Sequence, residues 1–401
     1  MTNAPLDVVV IGGGIHGAGV AQAAAASGYR VLVLEQSQIA AGTSSRSSKL
    51  IHGGLRYLEQ AQLHLVHECL RERALLLKNA PELVRLVPFH IPVYRESKRA
   101  SATIALGLSL YYGLGGFGAA NRFSRVPRSQ WDTLDGIETK GLRAVYRYFD
   151  GQTDDRALTQ AVMNSAFSLG AELRMPARFE RADIAGDEVK VFFQHKGRSA
   201  EVTTRVVVNA AGPWVNDVLK QVTPATAALQ IKRVQGSHIL VAGNITRGIY
   251  YLEAPQDRRP VFVMPWHEDT IMVGTTEKLF DGDPAQVYAS VEEKTYLLET
   301  LSAYFPRYHS AEAARIKDAF AGLRVLPSGP SNLNALPRDT TLHVDRSDRP
   351  RILTIYGGKL TAYRATAEAI MKRLSPSLPA PAKAVSTTTL PLKRGPLRYA
   401  L

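Results

Sequence analysis

The sequence predicts an α/β protein in which a nucleotide-binding parallel sheet carries an inserted, mainly antiparallel β-sheet domain. Three stretches support this fold class: a strand–helix–strand unit at the start, a strand-rich region over residues 231–280, and a strand–turn–helix unit over residues 352–374. Because the first and last stretches belong to one kind of domain, that domain is discontinuous. The expected division is a nucleotide-binding domain of residues 1–81, 148–222 and 335–376, a substrate-binding domain of residues 82–147 and 223–334, and a C-terminal tail of residues 377–401, extended or mobile.

The opening segment has the pattern of a Rossmann-type dinucleotide-binding unit. Residues 8–11 are uncharged, as in a strand buried on both faces. Gly12, Gly14 and Gly17 follow with the G-x-G-x-x-G spacing, which allows a tight turn, close approach to a pyrophosphate, and close packing of helix on strand. Glu35 ends the second strand, where its carboxylate can accept ribose hydroxyls. The alternative is a purely structural glycine turn. An acid at this position favours FAD or NAD over NADP.

The composition limits the class of protein. A chain of 401 residues is long enough for two domains with a sizeable core. The single cysteine, Cys69, excludes an internal disulfide and indicates a reducing compartment. No secretory signal pattern precedes the first strand, which predicts a cytoplasmic location, and no His or Cys spacing predicts a metal site.

The net charge of +13 favours anionic partners: phosphorylated small molecules, an anionic membrane surface or nucleic acid. The basic residues are spread along the chain, without an arginine-rich arm or interleaved aromatic side chains. We therefore interpret the charge as a solvated basic surface and expect no nucleic-acid partner. The sequence leaves the oligomeric state open.

A polar loop over residues 40–59 follows the second strand. It combines small hydroxyl side chains with four basic ones, Arg46, Lys49, His52 and Arg56. Many turn-forming residues are also typical of an exposed surface loop. The position of this loop next to the glycine turn favours a role in lining the cofactor.

An uncharged run over residues 100–121 is flanked by Lys98, Arg99 and Arg122. Its length would almost allow a membrane span, but its five glycines argue against a stable helix. Two interpretations stay open: an interfacial or re-entrant helix with basic flanks, and a buried or interface helix. The first predicts peripheral attachment to the inner face of the cytoplasmic membrane.

Several motifs together resemble the FAD-dependent glycerol-3-phosphate dehydrogenases, which belong to the D-amino-acid-oxidase-like flavoproteins. Besides the glycine turn, the motifs are GTSSRSSKLIHGGLRYLE, VVNAAGPW, RVQGSHI, MPWHEDTIMVGTTE, AGLR and YGGKLTAYR, in this order within residues 5–375. The resemblance implies FAD as cofactor and oxidation of sn-glycerol 3-phosphate to dihydroxyacetone phosphate, with electrons passed to membrane quinone. Two features depart from the family: it usually carries a further C-terminal helical domain, and Pro-Leu usually follows the arginine that is Arg324 here.

The resemblance also implies site residues. A hydride would pass from C2 of the substrate to flavin N5 while a base takes the proton of the C2 hydroxyl. His238 is the first candidate for this base and His52 the second. Arg56 and Arg324 would bind the substrate phosphate. Lys359 would lie near the flavin and stabilise negative charge on the substrate oxygen.

The residues assigned to cofactor binding come from the glycine turn, the acid after the second strand, the polar loop and two later turns: Gly12, Gly14, Gly17, Glu35, Thr43, Ser44, Ser45, Ser48, Lys49, Leu50, His52, Ala210, Gly212, Gly358, Lys359, Leu360 and Thr361. A helix that begins near residue 360 would face the flavin pyrimidine with its N-terminus. The alternatives are a structural role for His238 and a domain-interface ion pair for Arg324. His16 is expected to be only a helix-start residue, and His267 to be exposed in a hairpin turn.

Two other functions stay open at this point. The first is a related flavin oxidase or dehydrogenase of another small hydroxy acid or amine, with oxygen as one acceptor. The second is a flavin-bearing binding protein that uses a basic face for nucleic acid or membrane.

Overall fold

The computed structural model describes residues 5–310, 312–328, 340–383 and 385–397. In chain order its strands are β1 Leu6–Ile11, β2 Val31–Leu34, β3 Leu50–Ile51, β4 Val84–Tyr94, β5 Ser124–Arg125, β6 Leu142–Thr153, β7 Glu172–Arg174, β8 Ala177–Ala185, β9 Glu188–His195, β10 Arg198–Asn209, β11 Val222–Thr223, β12 Ile231–Ala242, β13 Ile249–Glu253, β14 Pro260–Pro265, β15 Thr270–Gly274, β16 Lys278–Leu279, β17 Ile316–Pro327, β18 Thr341–Val344 and β19 Ile352–Tyr356. The α-helices are α1 Ile15–Ala26, α2 Leu63–Asn79, α3 Ser101–Leu114, α4 Asp155–Ser168, α5 Val215–Leu219, α6 Val291–Tyr304 and α7 Tyr363–Leu374.

The first sheet has a parallel centre in the order β7-β2-β1-β10-β19. The N-terminal half of β10 also pairs antiparallel with β9, and β8 pairs antiparallel with β9. Val8, Val9 and Val10 are fully buried, since the sheet is covered on both faces. Helices α1, α4 and α7 contribute to the apolar core on one face, and residues of the β8–β9 hairpin to the core on the other.

The second sheet has the order β16-β12-β15-β14-β13-β4-β6-β3, with β17 beside β12 and β5 beside β6. Its pairings are antiparallel except for the one between β13 and β4, which is parallel. A parallel α/β sheet with a mainly antiparallel second sheet confirms the fold class predicted from the sequence.

Residues 101–114 of the uncharged run form α3, which agrees with the helix that both interpretations expected there, although the glycines argued against a stable one. Only Gly107 and Gly113 lie inside this helix, while the other glycines follow its end. Ile104, Leu108 and Tyr111 are buried at the spacing of one helix face, and this tertiary packing outweighs the low helix propensity. Within the described residues, no helix is both long and apolar enough to cross a membrane.

The C-terminal segment contacts α1 and α2 at several of its described residues, and its assignment as a separate tail stays a prediction. Leu392 is 4% exposed, and its N–H donates to the carbonyl of Asn79 at 2.7 Å. The Asn79 side chain donates to the carbonyl of Thr388 at 2.8 Å. Lys383 N–H donates to the carbonyl of Ser27, at the end of α1, at 3.1 Å.

Candidate active site

Four strand ends meet at one edge of the parallel sheet. Strands β2, β1, β10 and β19 are neighbours in this order and run in the same direction, so their carboxyl ends lie side by side. Three of these ends lead into turns of small residues, residues 12–14 after β1, 210–212 after β10, and 357–358 after β19. In open α/β sheets, ligands bind at this edge.

The first turn leaves no room for side chains. Gly12 has φ +106°, and a Cβ there would lie 2.6 Å from the carbonyl oxygen of Ala210. A Cβ on Gly17 would lie 1.9 Å from the carbonyl oxygen of Gly12, so α1 packs directly on the turn. A Cβ on Gly14 would lie 3.1 Å from the hydroxyl oxygen of Ser44. Glycine is therefore required at Gly12 and Gly17 by the close packing of the protein's own backbone.

The start of α1 favours an anion. Gly14 caps the helix without a side-chain hydrogen bond, and the first turn contains no acidic residue. Ile15 N–H donates to Ser44 Oγ at 2.9 Å, which brings the polar loop onto the helix start. The N–H groups of the first turn and the helix dipole together stabilise negative charge, such as that of a pyrophosphate.

Glu35 lies beside this turn and is 8% exposed. One carboxylate oxygen accepts Gly13 N–H at 2.8 Å, and the other accepts Ser37 N–H at 2.7 Å. A carboxylate can accept about four hydrogen bonds. Since the Ser37 hydroxyl also donates to it at 3.1 Å, the carboxylate is held in one orientation and can still accept about one ribose hydroxyl.

The polar loop is held between the two sheets. Thr43 Oγ1 donates to the carbonyl of Leu323 in β17 at 2.8 Å, and Ser45 Oγ donates to the carbonyl of Gly42 at 3.3 Å. Leu50, in β3, has its side chain in the core of the second sheet. The loop therefore connects the edge of the parallel sheet to the antiparallel one.

Lys49 forms a buried ion pair. Its Nζ atom lies 2.6 Å from Asp155 Oδ1 and donates to the carbonyl of Ser45 at 2.6 Å. The ammonium also lies 5.5 Å from the ring of Trp266 and 5.2 Å from the ring of Phe320. Asp155 and the carbonyl of Ser45 thus bind the Lys49 ammonium. The contact of Lys49 with the cofactor stays a prediction.

His238 lies in β12 with only 2% of its surface exposed. Its ring stacks on Phe320, with centroids 4.9 Å apart, and a hydrogen bond of 3.0 Å joins its Nε2 to the hydroxyl of Ser48. Burial, and then the charges of Lys49 and Arg324, lower the pKa of His238 to about 3. The imidazole is therefore neutral at pH 7.

Arg324 lies on β17, the neighbour of β12, opposite Val234. Its Nη2 lies 3.2 Å from the position that a Cβ on Gly236 would take, and its Nη1 lies 3.5 Å from Glu277 Oε1. Gly236 and His238 point to the same side of β12 because successive residues alternate. The guanidinium and the imidazole therefore share one face, and 32% of the Arg324 side chain is exposed.

A second group of predicted residues lies at the turn after β19. His52 N–H donates to Thr361 Oγ1 at 3.1 Å. The Lys359 Nζ atom lies 4.4 Å from the ring centroid of Tyr57, the residue after Arg56. The structure thus brings His52 and Lys359 to the same turn, and residues 48–52 connect this group to the contact between Ser48 and His238.

The comparisons with known proteins decide the family. Residues 7–364 match the FAD dependent oxidoreductase family (DAO). The chain belongs to this family.

Individual relatives agree with this assignment. Glycerol-3-phosphate dehydrogenase of Pseudomonas aeruginosa is 38% identical over 92% of this chain and 72% of its own length. D-erythritol 1-phosphate dehydrogenase of Brucella abortus is 36% identical over 93% of this chain and 74% of its own length. Among solved structures, the glycerol-3-phosphate dehydrogenase of Bacillus halodurans, complexed with FAD, has a TM-score of 0.73 at 26% identity, covering 98% of this chain and 68% of that one.

The predicted resemblance to FAD-dependent glycerol-3-phosphate dehydrogenases is thereby confirmed, and so is FAD as the cofactor. The residues at the sheet edge fit this cofactor. The glycine turn and the start of α1 would hold the pyrophosphate, and Glu35 would hold a ribose. The turn at residues 357–358, close to His52, would lie at the flavin ring.

Sequence reasoning missed the structural role of His16. Its ring lies 2.0 Å from the position that a Cβ on Gly358 would take, and Gly358 has φ +108°. Burial lowers the pKa of His16 to about 4, so a neutral ring packs against the turn that precedes Lys359. No local pattern indicates this contact, because the two residues lie far apart in the sequence.

Two neighbours of the predicted site residues were also missed, Tyr57 beneath Lys359 and Glu277 beside Arg324. Both residues lie inside motifs that carry the family resemblance, so a closer reading of those motifs could have identified them.

His267 is exposed between β14 and β15, as predicted. Among the described residues, no group of three or more His, Cys, Asp or Glu side chains could hold a metal ion.

Proposed function

We propose that this enzyme oxidises sn-glycerol 3-phosphate to dihydroxyacetone phosphate. Bound FAD supplies the chemistry by accepting at flavin N5 the hydride that leaves C2 of the substrate. The observation that carries the proposal is that a guanidinium and a neutral imidazole lie on one face of the second sheet. Arg324 and His238 provide this pair, and the flavin-proximal loop reaches them through Ser48.

Arg324 would anchor the substrate phosphate. A guanidinium presents a planar fork of donors that matches the oxygens of a phosphate, and it keeps its charge at any physiological pH. Glu277 lies 3.5 Å away and orients the fork, while part of the side chain faces the open side of the sheet. Arg56, beside Tyr57, is the second candidate for this role.

His238 would receive the proton of the C2 hydroxyl. Its pKa of about 3 means that the ring carries no extra proton at neutral pH. Since the ring is buried and its Nε2 faces Ser48, the proton would reach it through the Ser48 hydroxyl. The cations that lower the pKa of His238 also oppose the imidazolium that it would become, so His52 stays as the second candidate for the base.

Lys359 would stabilise negative charge at the substrate oxygen. Its ammonium is placed over the ring of Tyr57, at the turn that would face the flavin. A fixed positive charge near the reacting oxygen lowers the energy of the transition state without needing to move.

A second substrate is favoured by one specific comparison. The Brucella abortus relative that is 36% identical acts on D-erythritol 1-phosphate, according to its name. A longer polyol phosphate would present the same phosphate to Arg324 and would differ only in the carbons beyond the reacting centre. We place this substrate second.

We further propose that quinone is the electron acceptor and that the protein contacts an anionic membrane surface through α3. Leu106 is 72% exposed, Leu110 is 41% exposed, and Phe117, just after the helix, is 68% exposed. Arg122 and Arg125 follow α3, are exposed, and form no salt bridge with any described residue. Exposed apolar side chains beside basic ones are typical of helices that lie in the lipid headgroup region.

Anaerobic absorption spectroscopy of the FAD-loaded enzyme tests the proposed reaction. Addition of sn-glycerol 3-phosphate should bleach the flavin bands within the dead time of manual mixing, whereas D-erythritol 1-phosphate should act more slowly. Faster bleaching by the erythritol phosphate would reverse the order of the two substrates. A spectrum that neither compound changes would overturn the proposed reaction. A quinone analogue that restores the oxidised spectrum faster than oxygen does would support the acceptor.

A further inference from the structure

Three buried polar side chains form a network behind the predicted site. Tyr111 of α3 and Asp150 of β6 are each 1% exposed, and Arg73 of α2 is 2% exposed. The Tyr111 hydroxyl lies 2.7 and 2.9 Å from the two carboxylate oxygens of Asp150. Arg73 forms an ion pair with Asp150 and also donates to the carbonyl of Phe149 at 3.0 Å. Burying two charges is costly unless they are paired and hydrogen-bonded, as they are here.

The network ends on the backbone of the polar loop. Gly53 N–H donates to the Tyr111 hydroxyl at 2.8 Å. A Cβ on Gly53 would lie 2.6 Å from that hydroxyl and 2.7 Å from Leu70 Cδ2, so the loop is in direct contact with the network. Only a glycine fits at this point, which is the second position of the motif HGGLRY.

Two consecutive backbone N–H groups of the loop are therefore held by side chains of different elements. His52 N–H is bound by Thr361, in the segment that leads into α7, and Gly53 N–H is bound by Tyr111 of α3. These two bonds fix the two peptide planes on either side of His52, Ile51–His52 and His52–Gly53. They thereby fix the direction in which the chain continues to Arg56.

We propose that Tyr111 is a positioning residue for the loop of residues 52–56, and that Asp150 and Arg73 orient it. The inference rests on the proposed function, in which His52 and Arg56 face the substrate. The Tyr111 hydroxyl donates its hydrogen bond to the carboxylate of Asp150. The lone pairs of the hydroxyl oxygen are therefore directed to Gly53 N–H. Hydrogen bonds in such a chain strengthen one another in a medium of low dielectric constant.

The role of the hydroxyl can be separated from that of the ring. The Tyr111 ring packs edge-on against Tyr148, with centroids 6.0 Å apart, and a phenylalanine would keep this contact. Tyr111→Phe therefore removes only the bridge between Asp150 and Gly53 N–H. Tyr304 is the matched control, since it also lies on a helix, is 9% exposed, and donates to the carbonyl of Glu253 at 2.6 Å.

The experiment compares both variants as FAD-loaded enzymes. Tyr111→Phe should lose more thermal stability than Tyr304→Phe, because it removes the bonds to Asp150 and to Gly53 N–H, whereas Tyr304→Phe removes only the bond to the carbonyl of Glu253. Tyr111→Phe should slow anaerobic flavin reduction at saturating sn-glycerol 3-phosphate about tenfold or more and shift the flavin absorbance bands, whereas Tyr304→Phe should do neither. Equal reduction rates and spectra in the two variants would overturn the proposal and leave Tyr111 a structural role only.

Amide hydrogen exchange of the unsubstituted holoenzyme keeps the inference testable if Tyr111→Phe fails to fold. The Gly53 amide should be protected far beyond the rate of an unstructured peptide. Exchange at the unprotected rate would overturn the proposal. This measurement needs no substrate. If the proposed reaction is wrong, substrate leaves the flavin spectrum of the unsubstituted enzyme unchanged. That result is distinct from a failure of the positioning role, which shows as an unprotected Gly53 amide.

Discussion

The Nε2 atom of His238 lies 3.0 Å from the hydroxyl oxygen of Ser48, and this hydrogen bond joins β12 of the antiparallel sheet to the polar loop. The loop starts at the cofactor edge of the parallel sheet, where Ser44 binds the backbone at the start of α1. Residues from both sheets therefore meet at one contact. A substrate bound at this contact would lie between Arg324 and the edge that is proposed to bind the flavin.

If His238 is the base, His238→Asn should slow flavin reduction at saturating sn-glycerol 3-phosphate about 100-fold or more, because general base catalysis of this kind contributes about 10²–10⁴-fold. Stopped-flow absorbance under anaerobic conditions measures the rate. His267→Ala is the control, since this histidine is exposed in a hairpin turn of the same sheet. A full reduction rate in the Asn variant would move the role to His52.

Arg324→Ala should raise KM for sn-glycerol 3-phosphate about 10- to 100-fold with FAD content unchanged, because a charge-assisted contact to phosphate is worth about 1.5–3 kcal/mol. Steady-state kinetics and the flavin-to-protein absorbance ratio measure the two quantities. Arg307→Ala, an exposed arginine just after α6, provides the control. An unchanged KM in the first variant would remove Arg324 from the site.

Gly358→Ala should destabilise the protein and weaken FAD binding, since the new Cβ would lie 2.0 Å from His16 Nε2. Gly170→Ala is a closely matched control: Gly170 has φ +105°, near the +108° of Gly358, but no atom lies within 4 Å of the position that its Cβ would take. Because the two positions have nearly the same φ, the difference in free energy of unfolding between the variants reports mainly the contact with His16. Equal losses in the two variants would argue against this contact.

The local parts of the fold could be predicted from the sequence. The uncharged run of β1, the glycine spacing and Glu35 lie within 35 residues, and each expresses a short-range rule about strands, turns and helix starts. Contacts between distant residues could not be predicted. The ion pair of Lys49 with Asp155, the packing of His16 on Gly358 and the bond from Gly53 to Tyr111 depend on how separate elements pack. The buried face of α3 could not be predicted for the same reason, although both interpretations of this run expected a helix.

The protein should lose stability as the pH falls from about 6.5 to 4, and His90 should account for part of the loss. Burial, and then the charge of Arg147, lower the pKa of His90 from 6.5 to about 4. In this range the unfolded chain binds a proton that the folded chain does not, so each such histidine adds a slope of up to about 1.4 kcal/mol per pH unit. Above pH 6.5 the effect is absent, since neither state binds the proton.

His90→Phe tests this pH dependence away from the site, because the ring would keep its stacking on Tyr250, 5.3 Å away. Urea unfolding at several pH values between about 4.5 and 7.5 should give a shallower dependence of the free energy of unfolding on pH in the variant. Parallel curves for the two proteins would show that His90 is not responsible.

Vesicle binding tests the membrane surface proposed for α3. The enzyme should co-sediment with vesicles of equal parts phosphatidylglycerol and phosphatidylcholine at low salt, and less with pure phosphatidylcholine, because the basic residues attract anionic lipid. Replacing Leu106, Leu110 and Phe117 by serine should abolish binding if these side chains enter the headgroup region. The control replaces Leu279, Tyr288 and Val291, which are 48%, 71% and 73% exposed elsewhere on the surface. Arg99 should contribute little, since Glu59 and Glu253 already pair with it. Equal binding of both triple variants would exclude α3 as the contact.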